Sequence, residues 1–562
     1  MRRTELSFAA YAVLVVLGLV LSLLMFFPVQ LRTGFSVVFS NSYDGVIQVA
    51  LVGHWYKVLI GLQRWNEIPY FYPHRDTLGY NDGVFLTGML AAPFRAAGVD
   101  LFRAHEYALV ALKAVGFISM AALLNRIVAK NSWTSVAGAV LFSVMIGTSN
   151  QAYHAQLLSL SLAPLATLLL FSAWQHHDGS IVAFLGRAAA FLAIIGGWLI
   201  TSFYMAWFYL LLICIVVAVH LAFERETWRH IVRQRGGLRP AIVAIFRRRG
   251  GRYGGLAVLA LISLVPFALV YGPKLRETHG HNIHSALAYA LDLTDAINIG
   301  SGSLIWGGWF AALKASMPDR LPVGEFEVGF TPDVLGVLAA IMVLAAFTKR
   351  LQLTPLLRAT LWGAVLLAAL PLSIHGISPW WVVFRTVPGA TGVRVIARVW
   401  LLIGFPVSIM LTVALDRIAA LSRWRLAAVP LAAVLITSQY NTTQQVALRP
   451  DAEMKLLAEV PTPPPSCRSF VLIGAPTETE SHDPFYGFYH DNVLAMLVAD
   501  HINLPTLNGF ATFKPADWDF SAIPPDTVLT RFARYVKAHG LDHVCVYETK
   551  LQRWDTNAFL PR

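Results

Sequence analysis

Stretches of about twenty apolar residues recur along this 562-residue chain, and the connections between them are alternately rich and poor in Lys and Arg. A bilayer core about 30 Å thick takes roughly 20 apolar residues per helix, and inside it a backbone must satisfy its own hydrogen bonds. The pattern therefore predicts a mainly α, multi-pass membrane protein. Spans are expected at Ala9–Pro28, Tyr107–Ile127, Trp133–Thr148, Leu157–Trp174, Phe184–Ile200, Phe203–Phe223, Tyr253–Tyr271, Pro332–Phe347, Leu356–Ile374, Val399–Leu415 and Leu426–Thr437, about eleven in all. The 184–223 stretch is too long for one crossing and is read as two helices. The charged start MRRTELSF and the long apolar run after it, with no small-x-small cleavage site, read as a retained signal anchor.

Composition enters where the charge has to be placed. Charged residues make up 14% and hydrophobic residues 56%, with mean hydropathy +0.58, far from the roughly 25% charge of a soluble domain. The net charge of +12 does not argue for nucleic acid, because the basic residues follow the membrane instead of forming a patch on a soluble domain. With Arg2 and Arg3 inside, the basic positions fall at every second connection: Arg126 and Lys130, Arg187, the run from Arg225 to Arg252, Lys349 and Arg350, and Arg417, Arg423 and Arg425. The expected location is a bacterial inner membrane with a cytoplasmic N-terminus. The periplasmic side would receive the 29–105 loop, the Ser149–Gln156 turn, the 273–330 loop, the 375–398 loop and everything after about Ser438. The basic 224–252 loop is explained by anionic lipid.

Residues 1–438 thus form a transmembrane domain with external loops at 29–105 and 273–330. A linker at 439–466 carries Pro461, Pro463, Pro464 and Pro465. Residues 467–562 read as a small α/β extracytoplasmic domain, with strands at Ser469–Gly474 and His543–Tyr547 and helices at Asn492–His501 and Thr527–His539. An oxidising compartment permits a disulfide between Cys467 and Cys545. Sequence does not give their separation, so two buried free thiols are the expectation, and Cys214 is a packing residue.

Acids and bases concentrate in the external loops. Asp44 lies sixteen positions beyond Pro28 and is followed by Gly45 and a mixed run to Ile60. That run predicts an amphipathic helix in the interface, anchored by Trp55, Tyr56 and Trp65, with Asp44 as its N-cap and as a candidate general base. His74, Asp76 and Asp82 join Asp44 as oxygen and imidazole donors of the kind that hold Mg²⁺ or Mn²⁺, although Asx turns explain Asp82-Gly83 without a cation. His279, His281 and His284 offer a conceivable zinc tract and equally read as solvated loop residues. His154 and Gln156, at a helix start, can orient a substrate hydroxyl or face water. Glu325 and Glu327 precede a predicted span, and Glu325, with His74, Asp76 and Asp82, is a candidate for shaping the substrate pocket. Arg394 and Arg398, with Arg385 nearby, stand at a non-cytoplasmic edge where the orientation rule disfavours them, and a bidentate phosphate clamp would account for them.

Several segments together resemble the GT-C superfamily of polytopic glycosyltransferases, and within it a bacterial membrane-protein group. They are Asp44 in the first external loop, FYPHRDTLGYND, YHAQLLSLSLAPL, Thr201-Ser202-Phe203-Tyr204, GEFEVGFTP at 324–332, PGATGVRVIARVWLL at 388–402 and AMLVADHINLPTLNGFATFKPADW. The resemblance implies a GT-C fold and transfer of a hexosyl or pentosyl unit, with inversion, from a polyprenyl-phosphate-linked donor to a lipid or glycan acceptor on the periplasmic face. Asp44 would be the base, and Arg394 and Arg398 would stabilise the leaving phosphate. The paired adjacent acids of many protein mannosyltransferases are absent from this first loop, which leaves acceptor class and metal dependence open. A non-catalytic protein that assembles or binds cell-envelope glycan would tolerate loss of Asp44. A lipid or glycan transporter should carry ionisable groups near mid-membrane, where only Lys113 stands.

Overall fold

The structure, a computed structural model, describes residues 5–41, 44–177, 179–224, 238–292, 295, 302–316, 353–421, 424–444, 448–475, 484–521, 523–524 and 527–559. The predicted span Pro332–Phe347 and the acids Glu325 and Glu327 lie outside them.

Seven helices among the described residues are long and apolar enough to cross a membrane, and two shorter apolar helices accompany them. In chain order the bundle comprises α1 (Phe8–Phe26), α4 (Leu101–Ile127), α5 (Trp133–Ser143), α6 (Ala163–Gln175), α7 (Ile181–Thr201), α8 (Phe203–Phe223), α9 (Leu238–Thr278), α10 (Pro355–Ala369), α11 (Val399–Ala420) and α12 (Arg425–Ser438). Between α1 and α4 stand two further helices, α2 (Asp44–Leu59) and α3 (Phe85–Ala96). The predicted break in the 184–223 stretch falls at Ser202, which leaves the helical region at φ −153°, ψ 104°. The segment expected as a helix from Leu157 begins instead as a 3₁₀ turn, Ala155–Leu162, and runs on into α6.

Burial sorts the bundle. The apolar part of α11 is 83% buried, whereas that of α9 is only 6% buried. α11 is therefore the central post, packed against α5, α10 and α12, and α9 is a peripheral helix laid along α7. Residues such as Leu17 and Leu261 stay exposed on the outer helices, as expected where lipid is the solvent.

The C-terminal part contains α13 (Pro450–Ala458), β1 (Ser469–Ile473), α14 (Pro484–Ile502), α15 (Val528–Ala538), β2 (Val544–Glu548) and β3 (Arg553–Asp555). β1 pairs in parallel with β2, with Phe470 opposite Cys545, and β3 adds on antiparallel. Both predicted strands are present within a residue of their expected ends. The free-thiol expectation is overturned: Cys467 and Cys545 are joined, with Cα atoms 5.6 Å apart, because the parallel pairing brings residues 78 positions apart to adjacent strands.

Two further expectations are corrected around α2. It does not lie as an amphipathic helix in the interface, because Val46, Val49, Leu51, Val52 and Trp55 are buried on several of its faces. It is clasped between α3 and α14, and a salt bridge of 3.3 Å from Lys57 to Asp500 crosses to α14. Nor does the Asp44 side chain cap it: the Gly45 N–H is taken by Asn41 Oδ1 at 3.0 Å. A side chain at Gly45 would overlap Ser40, so glycine is what lets this entry turn close. The cap passes to Asn41, and the Asp44 carboxylate is left to point elsewhere.

Candidate active site

α2, the bundle and the C-terminal part converge on Asp44. Its Oδ2 lies 3.0 Å from Nε2 of His154, which enters from the turn ahead of α6, and its Oδ1 accepts a 2.6 Å hydrogen bond from the Tyr489 hydroxyl on α14. His154 is held in turn by Gln151 Oε1, 3.1 Å from Nδ1, and by the Tyr153 ring, 4.2 Å away between centroids. Arg398, the residue at the start of α11, brings Nη2 to 3.5 Å from the same His154 Nε2. Burial opposes ionisation of Asp44, but the His154 contact, the Tyr489 hydroxyl and the charge of Arg398 outweigh it and hold the carboxyl below the usual carboxylate range. The side chain is still 38% accessible, so a ligand can reach it.

Arg398 also borders a cavity of about 320 Å³. Its aromatic wall is a stack: Phe203 lies nearly parallel to Phe267, with centroids 5.9 Å apart, and Phe267 stacks on Tyr271 at 4.8 Å. Arg394, Arg398, Gln156 and Asp82 also line the cavity, as do Thr512 and Phe513 of the C-terminal part. Gly389 (φ +85°) and Gly392 let the 389–398 segment run against Phe203 and Trp207, where a Cβ would crowd the rings. That segment is fixed by the Tyr204 hydroxyl, which accepts the Arg394 N–H at 2.7 Å. The Arg394 guanidinium lies over the Tyr289 ring, 5.6 Å from its centroid.

Asp82 is placed by the break between α7 and α8. The Gly83 and Val84 N–H groups donate to the Ile200 and Thr201 carbonyls, and Asp82 Oδ1 accepts the Phe203 N–H at 2.9 Å. Burial pushes its pKa up to about 6, against the pull of that N–H and of Arg398. Beside it the Tyr80 hydroxyl donates to Glu277 at 2.6 Å and receives a bond from Lys274 at 2.9 Å, tying the first loop to the end of α9.

The structure thus brings Asp44, His154 and Arg398 into one chain of contacts, and Arg394, Gln156 and Asp82 to the adjoining cavity. Asp76 is elsewhere, accepting from Asn66, and His74 faces Asp517. The four proposed cation ligands therefore do not converge: Asp44, Asp76 and Asp82 each take a different hydrogen-bond donor, and His74 pairs outside the set. Of the second histidine tract, His281 stacks on Phe513 at the cavity edge with centroids 4.6 Å apart. Sequence reasoning missed Tyr489 and Lys274, to which only long-range packing gives a role, and Tyr80, Tyr204 and Phe513 were visible only as parts of the FYPHRDTLGYND, TSFY and AMLVADHINLPTLNGFATFKPADW segments.

No protein-family model matches the chain, and no curated protein sequence does. In structure it is similar to ArnT from Cupriavidus metallidurans in the apo state, at 12% identity and a TM-score of 0.44 over 96% of this chain and 93% of that one. It is also similar to the apo oligosaccharyltransferase of Archaeoglobus fulgidus, at 13% identity and a TM-score of 0.46 over 95% of this chain and 69% of that one. Arabinofuranosyltransferase AftD from Mycobacteria is a third similar structure, at 13% identity and a TM-score of 0.45 over 97% of this chain and 35% of that one.

Proposed function

We propose that this multi-pass membrane protein is a glycosyltransferase that moves a sugar from a polyprenyl-phosphate-linked donor to an acceptor nucleophile, with Asp44 as general base. The observation that carries the reading is the contact chain Asp44–His154–Arg398, which runs from an accessible ionised carboxylate to a cavity holding two arginines and an aromatic wall. A base needs to be ionised and reachable, and the low proton affinity and 38% accessibility of Asp44 meet both conditions. A lipid phosphate needs fixed positive charge beside apolar surface, which Arg394, Arg398 and the Phe203–Phe267–Tyr271 stack supply.

In this mechanism the acceptor attacks the anomeric carbon as its proton passes to Asp44. The bond from that carbon to the phosphate oxygen breaks, and the polyprenyl phosphate leaves with the electron pair, its charge met by the arginines. A single displacement inverts the anomeric centre. His154 and Tyr489 hold the carboxylate in place, and Asp82 anchors the floor of the cavity. The site faces the periplasm of a bacterial inner-membrane protein, on the side opposite the basic connections, and residues 467–562 form an extracytoplasmic domain that completes it.

The test replaces Asp44 with Asn in an expressed, membrane-inserted protein, followed by analysis of the cell's surface glycans and glycolipids. Loss of one glycan species, by about 10² to 10⁴ in rate, is the expected result. An unchanged profile from a normally expressed variant would remove Asp44 from catalysis and favour a non-catalytic role in glycan assembly.

A further inference from the structure

Outside the cavity, three side chains from distant stretches meet at the surface. His74 comes from the first external loop, Asp517 from the segment between α14 and α15, and His539 from the end of α15. The Asp517 carboxylate lies between the two imidazoles, with Oδ1 3.0 Å from His74 Nε2 and Oδ2 2.8 Å from His539 Nε2. The rings stand edge to face, 5.6 Å apart, and one donor atom from each of the three residues lies within 4.8 Å of the other two. Nε2 of His74 is buried and close to the carboxylate, yet makes no hydrogen bond of proper angle. Its neighbour in space is thus an acceptor that it does not properly engage.

We propose that His74, Asp517 and His539 bind a Zn²⁺ ion that fastens the C-terminal part to the first external loop. Two imidazole nitrogens and one carboxylate oxygen suit zinc, whereas Mg²⁺ and Ca²⁺ prefer oxygen throughout. Bonds of about 2.0–2.2 Å in a tetrahedron separate neighbouring ligand atoms by roughly 3.3 Å. The separations of 3.0 and 2.8 Å run to different oxygens of Asp517, and one donor atom from each residue lies within 4.8 Å of the other two, so a bound ion would open the close contacts by a few tenths of an ångström and draw the wider ones in. The Asp517 side chain is 50% exposed, which leaves an entry path and room for a water as fourth ligand.

The ligands are already oriented by their surroundings. The backbone N–H of His74 donates to the Phe71 carbonyl at 2.9 Å and so fixes the loop that carries the ring, and the His539 ring packs on Tyr535 with centroids 4.3 Å apart. Two of the three also sit next to the cavity lining in sequence: Tyr80 and Asn81 follow His74, and Thr512 and Phe513 precede Asp517. The ion therefore clamps together two segments that line the cavity, whatever reaction takes place there.

The experiment uses the full-length, detergent-purified protein with any histidine tag removed, stripped with a chelator and titrated with Zn²⁺ alone. Metal content by mass spectrometry and thermal melting are the readouts. About one zinc per chain and a melting point raised by several degrees are expected for the wild type, with both lost in His539→Gln and in Asp517→Asn but kept in Asp44→Asn. A stripped wild type that takes up no zinc and shows no zinc-dependent rise in melting overturns the proposal, even if neither ligand variant folds. So does zinc retained at the same stoichiometry in a ligand variant that elutes as the wild type does.

Discussion

The molecule has two apolar cores built on different terms. In the bundle, residues such as Phe117, Trp198, Tyr209 and Trp400 are buried where consecutive apolar helices touch, while Leu17 and Leu261 on the outer faces stay exposed. A second core joins α2, the 66–84 stretch, the sheet, α14 and α15 to Phe102 of α4, Ile200 of α7 and Val270 of α9, and in it Phe71 meets Trp518, Tyr70 and Tyr80 edge to face. The Phe71 and Tyr72 N–H groups donate to the Asn508 and Thr506 carbonyls, so the first loop is joined to residues more than four hundred positions away. Lipid does not distinguish a buried Leu from an exposed one strongly, whereas water does, and the outer core must close on itself. Asp44 sits on the seam, with His154 on the bundle side and Tyr489 on the other.

Five variants would break or sharpen this contrast. The largest expected effect on stability is at Phe71, whose fully buried ring joins both halves of the outer core: Phe71→Ala should cost about 3–5 kcal/mol. Leu17→Ala, on the lipid-facing side of α1, should cost far less. Thermal melting with limited proteolysis of the C-terminal part checks the pair, and equal costs would dissolve the distinction. Replacing both Cys467 and Cys545 with Ser opens a crosslink across 78 positions and should cost roughly 2–4 kcal/mol, read as greater protease sensitivity confined to the outer core. A uniform loss of melting temperature throughout the bundle would contradict independent cores.

A smaller effect is expected at the seam. Tyr489→Phe removes one donor to Asp44, so the carboxylate holds its proton more firmly. In the proposed mechanism Asp44 acts when ionised, so the acid limb of the rate profile should move to higher pH, while the rate near pH 7 changes by less than about tenfold. A limb that stays put would mean that Tyr489 does not tune Asp44. The mildest change is Asp82→Asn. Burial raises the folded-state pKa of Asp82 to about 6, so its ionisation opposes folding above that pH and the penalty fades as pH falls through it. The variant should therefore melt higher than the wild type at pH 8, with the gap narrowing by pH 5. A gap independent of pH would mean that the carboxyl is not charged there.

Much of this was legible in the chain because its signals are local. A helix that crosses lipid needs an unbroken apolar run, and the runs around α4, α7, α8 and α11 gave their positions directly, whereas α9 extends back to Leu238 through part of the 224–252 stretch read as a loop. The strands β1 and β2, as short buried runs, were equally plain. Asp44, His154, Arg394 and Arg398 could be singled out because polar side chains at a membrane edge are few. Their arrangement could not, since Asp44 and His154 are 110 positions apart and His154 and Arg398 are 244 apart.

Packing also reversed local expectations. The 46–60 run has the composition of an interfacial helix, but the C-terminal part covers the face that lipid headgroups would have met. Sequence by itself determined that this is a helical multi-pass membrane protein with a small α/β unit, because hydropathy acts residue by residue. Tertiary structure alone decided that α2 is buried, that Cys467 joins Cys545, that Tyr489 reaches Asp44 and that His74 faces Asp517. Those facts depend on which distant surfaces exclude water together, and no window of the sequence contains both surfaces.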